Sequence, residues 1–165
     1  MIVITGTPGT GKTTLADELA ELLKLPVIHV NDVVKQKKLY TDVEDGSLVV
    51  DLPALKRELK NFTGIAEGLV LCEIKLEGVA IVLRAAPEEL EKRLRKKGFH
   101  GGKIKENVEA EALDYCAIKA RQNYKRVIEI DTTGRTVEDT VERVLLALAG
   151  VPGDKVDWSN YFLEG

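Results

Sequence analysis

The sequence predicts an α/β fold in which a parallel sheet carries helices on both faces. Three observations carry this expectation. Strand-like apolar runs alternate with helical patterns along the chain, and such alternation builds parallel βαβ units. The strongest run, Val79 to Leu83, is apolar without interruption, as in a strand covered from both sides. A glycine-rich turn, Gly6 to Thr13, separates the first strand-like run from the first helical one.

The elements follow in order. Ile2, Val3 and Ile4 read as a short buried strand, and beyond Gly11 the residues Leu15, Leu19, Leu22 and Leu23 fall on one helical stripe. Val27 to Val30 reads as a second strand, with Asn31 or Asp32 capping a short helix behind it. Leu52, Leu55, Leu59 and Phe62 again repeat at helical spacing. Pro87 opens a helix through Lys97, at a position where its missing N–H costs little. Ile104, Val108, Ala112 and Tyr115 mark a further helix. Val127, Ile128 and Ile130 make the last strand, and Val137, Val141, Val144, Leu145 and Leu148 the last helix. Gly150, Pro152 and Gly153 end the alternation. They leave a tail, residues 151–165, whose Trp158 and Tyr161 are expected to pack back on the body.

Composition narrows the function classes. The 165 residues suffice for one domain, 1–165. Hydrophobic residues at 44% with 31% charged exclude a disordered chain. No apolar run approaches the ~20 residues of a membrane span, so a cytoplasmic protein without a membrane partner is expected. The 24 Lys+Arg against 27 Asp+Glu give a net charge of −3, which argues against direct RNA binding over the whole surface. Cys72 and Cys116 are the only cysteines, and their number and spacing suggest packing residues, not a metal site or a disulfide framework.

The chemistry is concentrated in Gly6-Thr7-Pro8-Gly9-Thr10-Gly11-Lys12-Thr13, which satisfies G-x-x-x-x-G-K-[ST], with Thr14 following. Glycines let successive N–H groups converge on an anion. A helix starting at Lys12 would present its positive end to the same anion. Lys12 would reach β- and γ-phosphate oxygens, and the Thr13 hydroxyl would ligate Mg²⁺. The motif follows a predicted strand and opens a predicted helix, so a nucleoside triphosphate with Mg²⁺ is the implied ligand.

A phosphate loop alone does not choose among GTPases, ATPases and kinases. The [NT]-K-x-D base-reading signature of switch GTPases is absent. A small kinase needs an acceptor flap after the second strand and a cationic lid late in the chain. Asp32-Val33-Val34-Lys35 offers the first, with Lys35 meeting the phosphate of an incoming monophosphate; a surface helix with an exposed lysine is the plainer alternative. Lys92 to Lys105 offers the second. It carries Lys92, Arg93, Arg95, Lys96, Lys97, Lys103 and Lys105 without an acid, and Gly98, Gly101 and Gly102 at its centre. Glu88, Glu89 and Glu91 precede these cations in the order a helix dipole favours, so most of them read equally well as solvated helix surface. Arg84 ends the strongest strand at the ligand-binding edge of an α/β sheet and is a candidate phosphate contact.

The segments GTPGTGKTT, VNDVVKQKKLY, VLRAAPEELEKRLRKKGF, KIKENVEAE and IEIDTTGR together resemble the CINAP-like, sixth-isoenzyme type of adenylate kinase found in archaea and eukaryotes. The resemblance runs from Met1 to about Leu148, and the tail VDWSNYF fits as well. It implies a P-loop kinase fold, a reaction ATP + AMP = 2 ADP, and ATP hydrolysis as an accompanying activity. By this resemblance Gly9, Gly11, Lys12, Thr13 and Thr14 hold ATP. Residues from about 29 to 51 form the monophosphate flap, with Asp32 and Lys35 on it, and 96–106 form the lid. Lys97 matches a lid cation on ATP, Arg135 a basic residue beside the adenine, and Glu67 the acid on the Mg²⁺ side with Thr13. Lys97 and Lys35 stand where Arg is common, which keeps the charge and loses bidentate geometry. The family's acid-x-His signature is Glu67-Gly68-Leu69 here, so the imidazole that hydrolysis would use is missing at that position. The family also implies a role in small-subunit (16S rRNA) maturation through the eleventh protein of the small ribosomal subunit.

Overall fold

The computed structural model describes residues 1–164; Gly165, the last residue of the tail, lies outside them. The chain runs β1 (Ile2–Gly6), α1 (Lys12–Leu23), β2 (Val27–His29), α2 (Val30–Gln36), β3 (Tyr40–Glu44), β4 (Ser47–Val50), α3 (Leu52–Leu59), β5 (Ile65–Glu67), β6 (Val79–Arg84), α4 (Pro87–Lys96), α5 (Gly102–Ala112), α6 (Tyr115–Asn123), β7 (Arg126–Asp131) and α7 (Val137–Leu148). Five strands form one parallel sheet in the order β2-β5-β1-β6-β7, and β3 and β4 form a separate antiparallel hairpin.

Side chains alternate between the faces of a strand, and β1 feeds both layers accordingly. Ile4 joins Leu15, Leu19, Ile81, Leu83 and Val144 under α1 and α7. Val3 joins Val34, Leu55, Leu59, Val82 and Ala117 under α2, α3 and α6. Each of these large side chains contributes about 1.5–3 kcal/mol by leaving water. A third cluster, Ala85, Leu90, Leu94, Ile104 and Val108 with Phe99 and Tyr161, ties α4 to α5 and receives the tail. The layered α/β architecture is therefore as the sequence predicts.

Several local expectations change. The helix expected over Ile104 to Tyr115 is two helices, because Asp114 adopts the left-handed conformation at φ 58° and its carboxylate is drawn to Arg84. Val30 opens α2 instead of closing β2, so His29 holds the cap position and Asn31 and Asp32 fall in the first helical turn. The β3–β4 hairpin turns on Asp45-Gly46, both at positive φ, a mirror-image turn that Asp-Gly favours. No described helix is long and apolar enough to cross a membrane.

Candidate functional site

Parallel pairing brings the carboxyl ends of β2, β5, β1, β6 and β7 to one edge of the sheet, the edge where α/β folds bind ligands. At the centre of that edge the chain leaves β1 at Gly6 and enters α1 at Lys12. Gly9 and Gly11 take φ of 91° and 94°. A side chain at Gly9 would also lie 3.0 Å from the Leu90 side chain, so only glycine lets the loop rest on α4. The Thr10 hydroxyl donates to the Thr7 carbonyl at 2.8 Å, and Lys12 Nζ donates to the same oxygen at 3.1 Å. No side chain caps α1 and no acid occupies its first turn, so its leading N–H groups are free to bind an anion.

Lys12 is half-buried. Burial pushes its ammonium down to about 8; Glu67 opposes the shift and Lys97 reinforces it. A phosphate anion at the loop would restore the full charge. Lys97 caps the end of α4, exposed, and its positive charge disfavours that of Lys12.

Glu67 ends β5 almost fully buried. Its Oε1 accepts from the Thr13 hydroxyl at 3.3 Å and lies 2.8 Å from His29 Nδ1. The other ring nitrogen, Nε2, lies 2.8 Å from Asp17 Oδ1. Both ring nitrogens thus face carboxylates and both must donate. Partial burial opposes that charge, but Glu67 and Asp17 outweigh it and raise the His29 pKa above 6.5. Sequence proximity does not connect His29 with Glu67, which lies 38 residues further along the chain. The signal that does is the β2–β5 register, which pairs His29 with Glu67. Asp17 lies one helical turn beyond Thr13 and shares its face. Leu69 itself opens a short 3₁₀ turn, about a third exposed, with its carbonyl accepting from the Thr5 hydroxyl.

Thr13 and Glu67 offer a neutral and an anionic oxygen, the donors a hard cation such as Mg²⁺ takes, usually alongside waters and substrate phosphates. Among the described residues no group of three or more His, Cys, Asp and Glu side chains gathers as a metal site of its own. The donor set therefore fits a cation that arrives with the nucleotide.

One candidate is corrected. Arg84 is not available to a phosphate: it is 1% exposed, and all three nitrogens of its guanidinium are hydrogen-bonded. Nε donates to Glu111 Oε1 at 2.7 Å, Nη2 to the Glu111 carbonyl at 3.1 Å and to Asp114, and Nη1 to Glu129. Burial opposes the guanidinium charge, but Glu111 and Asp114 outweigh it and raise its pKa. Glu111, unremarked in the sequence, is the centre of this network. It also accepts from Ala85 N, from the Thr7 hydroxyl of the phosphate loop at 2.6 Å, and from Trp158 Nε1 at 3.2 Å.

The remaining candidates sit around this core. Asp32 and Lys35 are exposed on α2, directly behind His29, and form no ion pair with a described residue. Thr14 is exposed in the first turn of α1. Arg135 follows β7 at the same sheet edge and is held by Asp154 of the tail at 2.9 Å. Among the lid cations, Arg93 is bound to Glu89 and Thr132, and Arg95 to Glu91, which makes them helix surface. Lys103 donates to Ser47 of the hairpin at 3.0 Å, so the segments expected as lid and flap touch. Grooves of about 570 Å³ beside Leu113 and Ile118 and about 710 Å³ beside Lys56 and Phe62 share no residue with this constellation.

The sheet order, the loop and its Lys12–Thr13–Glu67 grouping define a P-loop protein of kinase architecture. Solved structures agree on the fold: shikimate kinase from Acinetobacter baumannii superposes with a TM-score of 0.67 at 17% identity, over 90% of this chain and 92% of that one. Deoxyadenosine kinase from M. mycoides gives 0.61 at 14%, over 90% and 99%. The AAA domain family model matches residues 2–114. A protein of Methanothermobacter thermautotrophicus described as "Putative adenylate kinase" is 40% identical over 171 aligned positions, covering 99% of both chains. One of Pyrococcus abyssi with the same description is 39% identical, over 99% of this chain and 94% of its own. The chain belongs to this archaeal family.

Proposed function

We propose that the protein transfers the γ-phosphoryl group of ATP to AMP, giving two ADP. The observation that carries this reading is the meeting of the Lys12–Thr13 phosphate loop with Glu67 at one sheet edge; the Lys103–Ser47 hydrogen bond between the segments read as lid and flap supports it. The description shared by the archaeal relatives supports AMP as the acceptor.

The loop N–H groups and Lys12 would hold the β- and γ-phosphates and offset the negative charge of the transferring group. Thr13 and Glu67 would hold Mg²⁺, which when bound neutralises phosphate oxygens. Lys97 would add a second cation when the lid is closed, and Lys35 would meet the acceptor phosphate. Arg135 would lie beside the adenine. The acceptor brings its own nucleophile, so no side chain has to activate one, and positioning with charge neutralisation supplies the catalysis. Leu69 suits this division: an apolar side chain there offers nothing to orient water, which protects the transfer from hydrolysis.

A coupled assay tests the reading. ADP should form only when AMP accompanies ATP. Phosphate released at a comparable rate without AMP would overturn it in favour of a hydrolytic ATPase.

A further inference from the structure

We propose that His29 is a positioning residue for Glu67, held by Asp17, and that this clamp sets how tightly the site takes up Mg²⁺ with its nucleotide. The proposal rests on the reading of the loop as an ATP site with Glu67 on the metal side, and it goes beyond that reading by assigning two residues to the task.

The two oxygens of Glu67 have different surroundings. Oε1 receives His29 Nδ1 at 2.8 Å and the Thr13 hydroxyl at 3.3 Å, whereas Oε2 accepts no hydrogen bond from a described residue. A carboxylate at the end of a three-residue strand could rotate about its last torsion if nothing held it. Two donors on one oxygen fix the plane of the group and leave the other oxygen for a cation or its water.

The ring is fixed in turn. His29 is bound at both nitrogens, to Glu67 on one side and to Asp17 Oδ1 at 2.8 Å on the other. Its backbone is locked by the β2–β5 pairing that sets His29 opposite Glu67. Asp17 stands on α1 one turn beyond Thr13, so the helix that presents the hydroxyl also anchors the imidazole. The chain Asp17–His29–Glu67–Thr13 therefore closes on a single helix and a single strand pair. Outer partners of this kind orient metal-side ligands, and their loss typically costs ten- to a hundredfold in metal affinity or activity.

The test reads Mg²⁺ dependence directly, by titrating Mg²⁺ into the protein with a fluorescent ATP analogue and recording the concentration for half-maximal binding. His29→Ala should raise that concentration about tenfold while nucleotide affinity at saturating Mg²⁺ stays near that of the wild type. His29→Asn keeps an N–H donor on a short side chain and should recover most of the loss. In a Glu67→Gln background, His29→Ala should add nothing, because the group it positions no longer carries the charge. An unchanged Mg²⁺ dependence in His29→Ala, or an equal shift in the Glu67→Gln background, would overturn the proposal. Should His29→Ala fail to fold, Asp17→Asn at an exposed position replaces it, with about a threefold shift expected. No shift there would overturn the proposal equally. Binding is read without AMP, so a protein that takes up Mg²⁺ with ATP yet leaves AMP untouched would refute the proposed reaction and leave this assignment standing.

Discussion

Strand β1 has β5 on one side and β6 on the other, and each neighbour ends in a charge cluster at the same sheet edge. The β5 cluster, Glu67 with His29 and Asp17, leaves one carboxylate oxygen without a donor among the described residues and opens to solvent through Asp17, which is 56% exposed. The β6 cluster, Arg84 with Glu111, Asp114 and Glu129, engages all three nitrogens of the guanidinium and holds Arg84 at 1% exposure. Both are candidates in the sequence, Arg84 as the charge that ends the strongest strand and Glu67 through the resemblance to an acid on the Mg²⁺ side. Saturation separates them: a group whose hydrogen bonds are complete has nothing left to offer a ligand, while a partly satisfied one is a site.

The largest effect should come from the closed cluster. Arg84→Ala leaves Glu111 and Asp114 without their cation and Glu129 with Arg121 alone, and a loss of about 3–5 kcal/mol of stability is expected in denaturant unfolding. A loss below about 1 kcal/mol would mean that Glu111 and its neighbours find other partners. Lys12→Ala should do the reverse, reducing turnover to a few per cent or less while the unfolding midpoint barely moves. Glu67→Gln, on the open cluster, should cost about a hundredfold in turnover, or about 2.7 kcal/mol in the barrier, again without a comparable loss of stability. A drop in stability matching that of Arg84→Ala would erase the contrast between the clusters.

Smaller effects sharpen it. Lys97→Ala should lower kcat about tenfold with little change in the KM for ATP, because a lid cation acts after closure; a raised KM at constant kcat would make it a ground-state contact. The least is expected at Asp154, which accepts from Asp131 N, Arg135 and Arg143. Burial opposes its charge, but these donors outweigh it and hold its pKa below 3.8. A depressed carboxylate contributes stability above its unfolded pKa and loses it as the pH falls through the folded value. Asp154→Asn should therefore trail the wild type by about 1 kcal/mol at neutral pH, and the gap should close on acidification below about pH 4.

The sequence makes some of this legible and hides the rest for physical reasons. The phosphate loop is local: its glycines, lysine and threonine lie within eight residues, and the chemistry follows from spacing. The long strand at Val79 and the last helix at Val137 declare themselves through periodicity. Helix α6 does not, because its buried residues are the small Cys116, Ala117 and Ala120, which make no strong stripe. Strand β5 is three residues long and gives no pattern. His29 and Glu111 act through partners 38 and 104 residues away, Glu67 and Thr7 respectively. Only sheet register and helix packing bring such pairs together, and the same fact turned Arg84 from a candidate ligand into a saturated hub.

Trp158 is the only tryptophan in the chain, and its indole donates to the carboxylate of Glu111 that also receives the phosphate-loop Thr7. A fluorophore thus sits one residue removed from the loop that would grip ATP. Any movement of Thr7 on nucleotide binding would be relayed through a shared carboxylate to the indole N–H, where emission is sensitive to hydrogen bonding. The tail gives the protein a built-in optical gauge of its own loop, readable in the native chain without an attached dye.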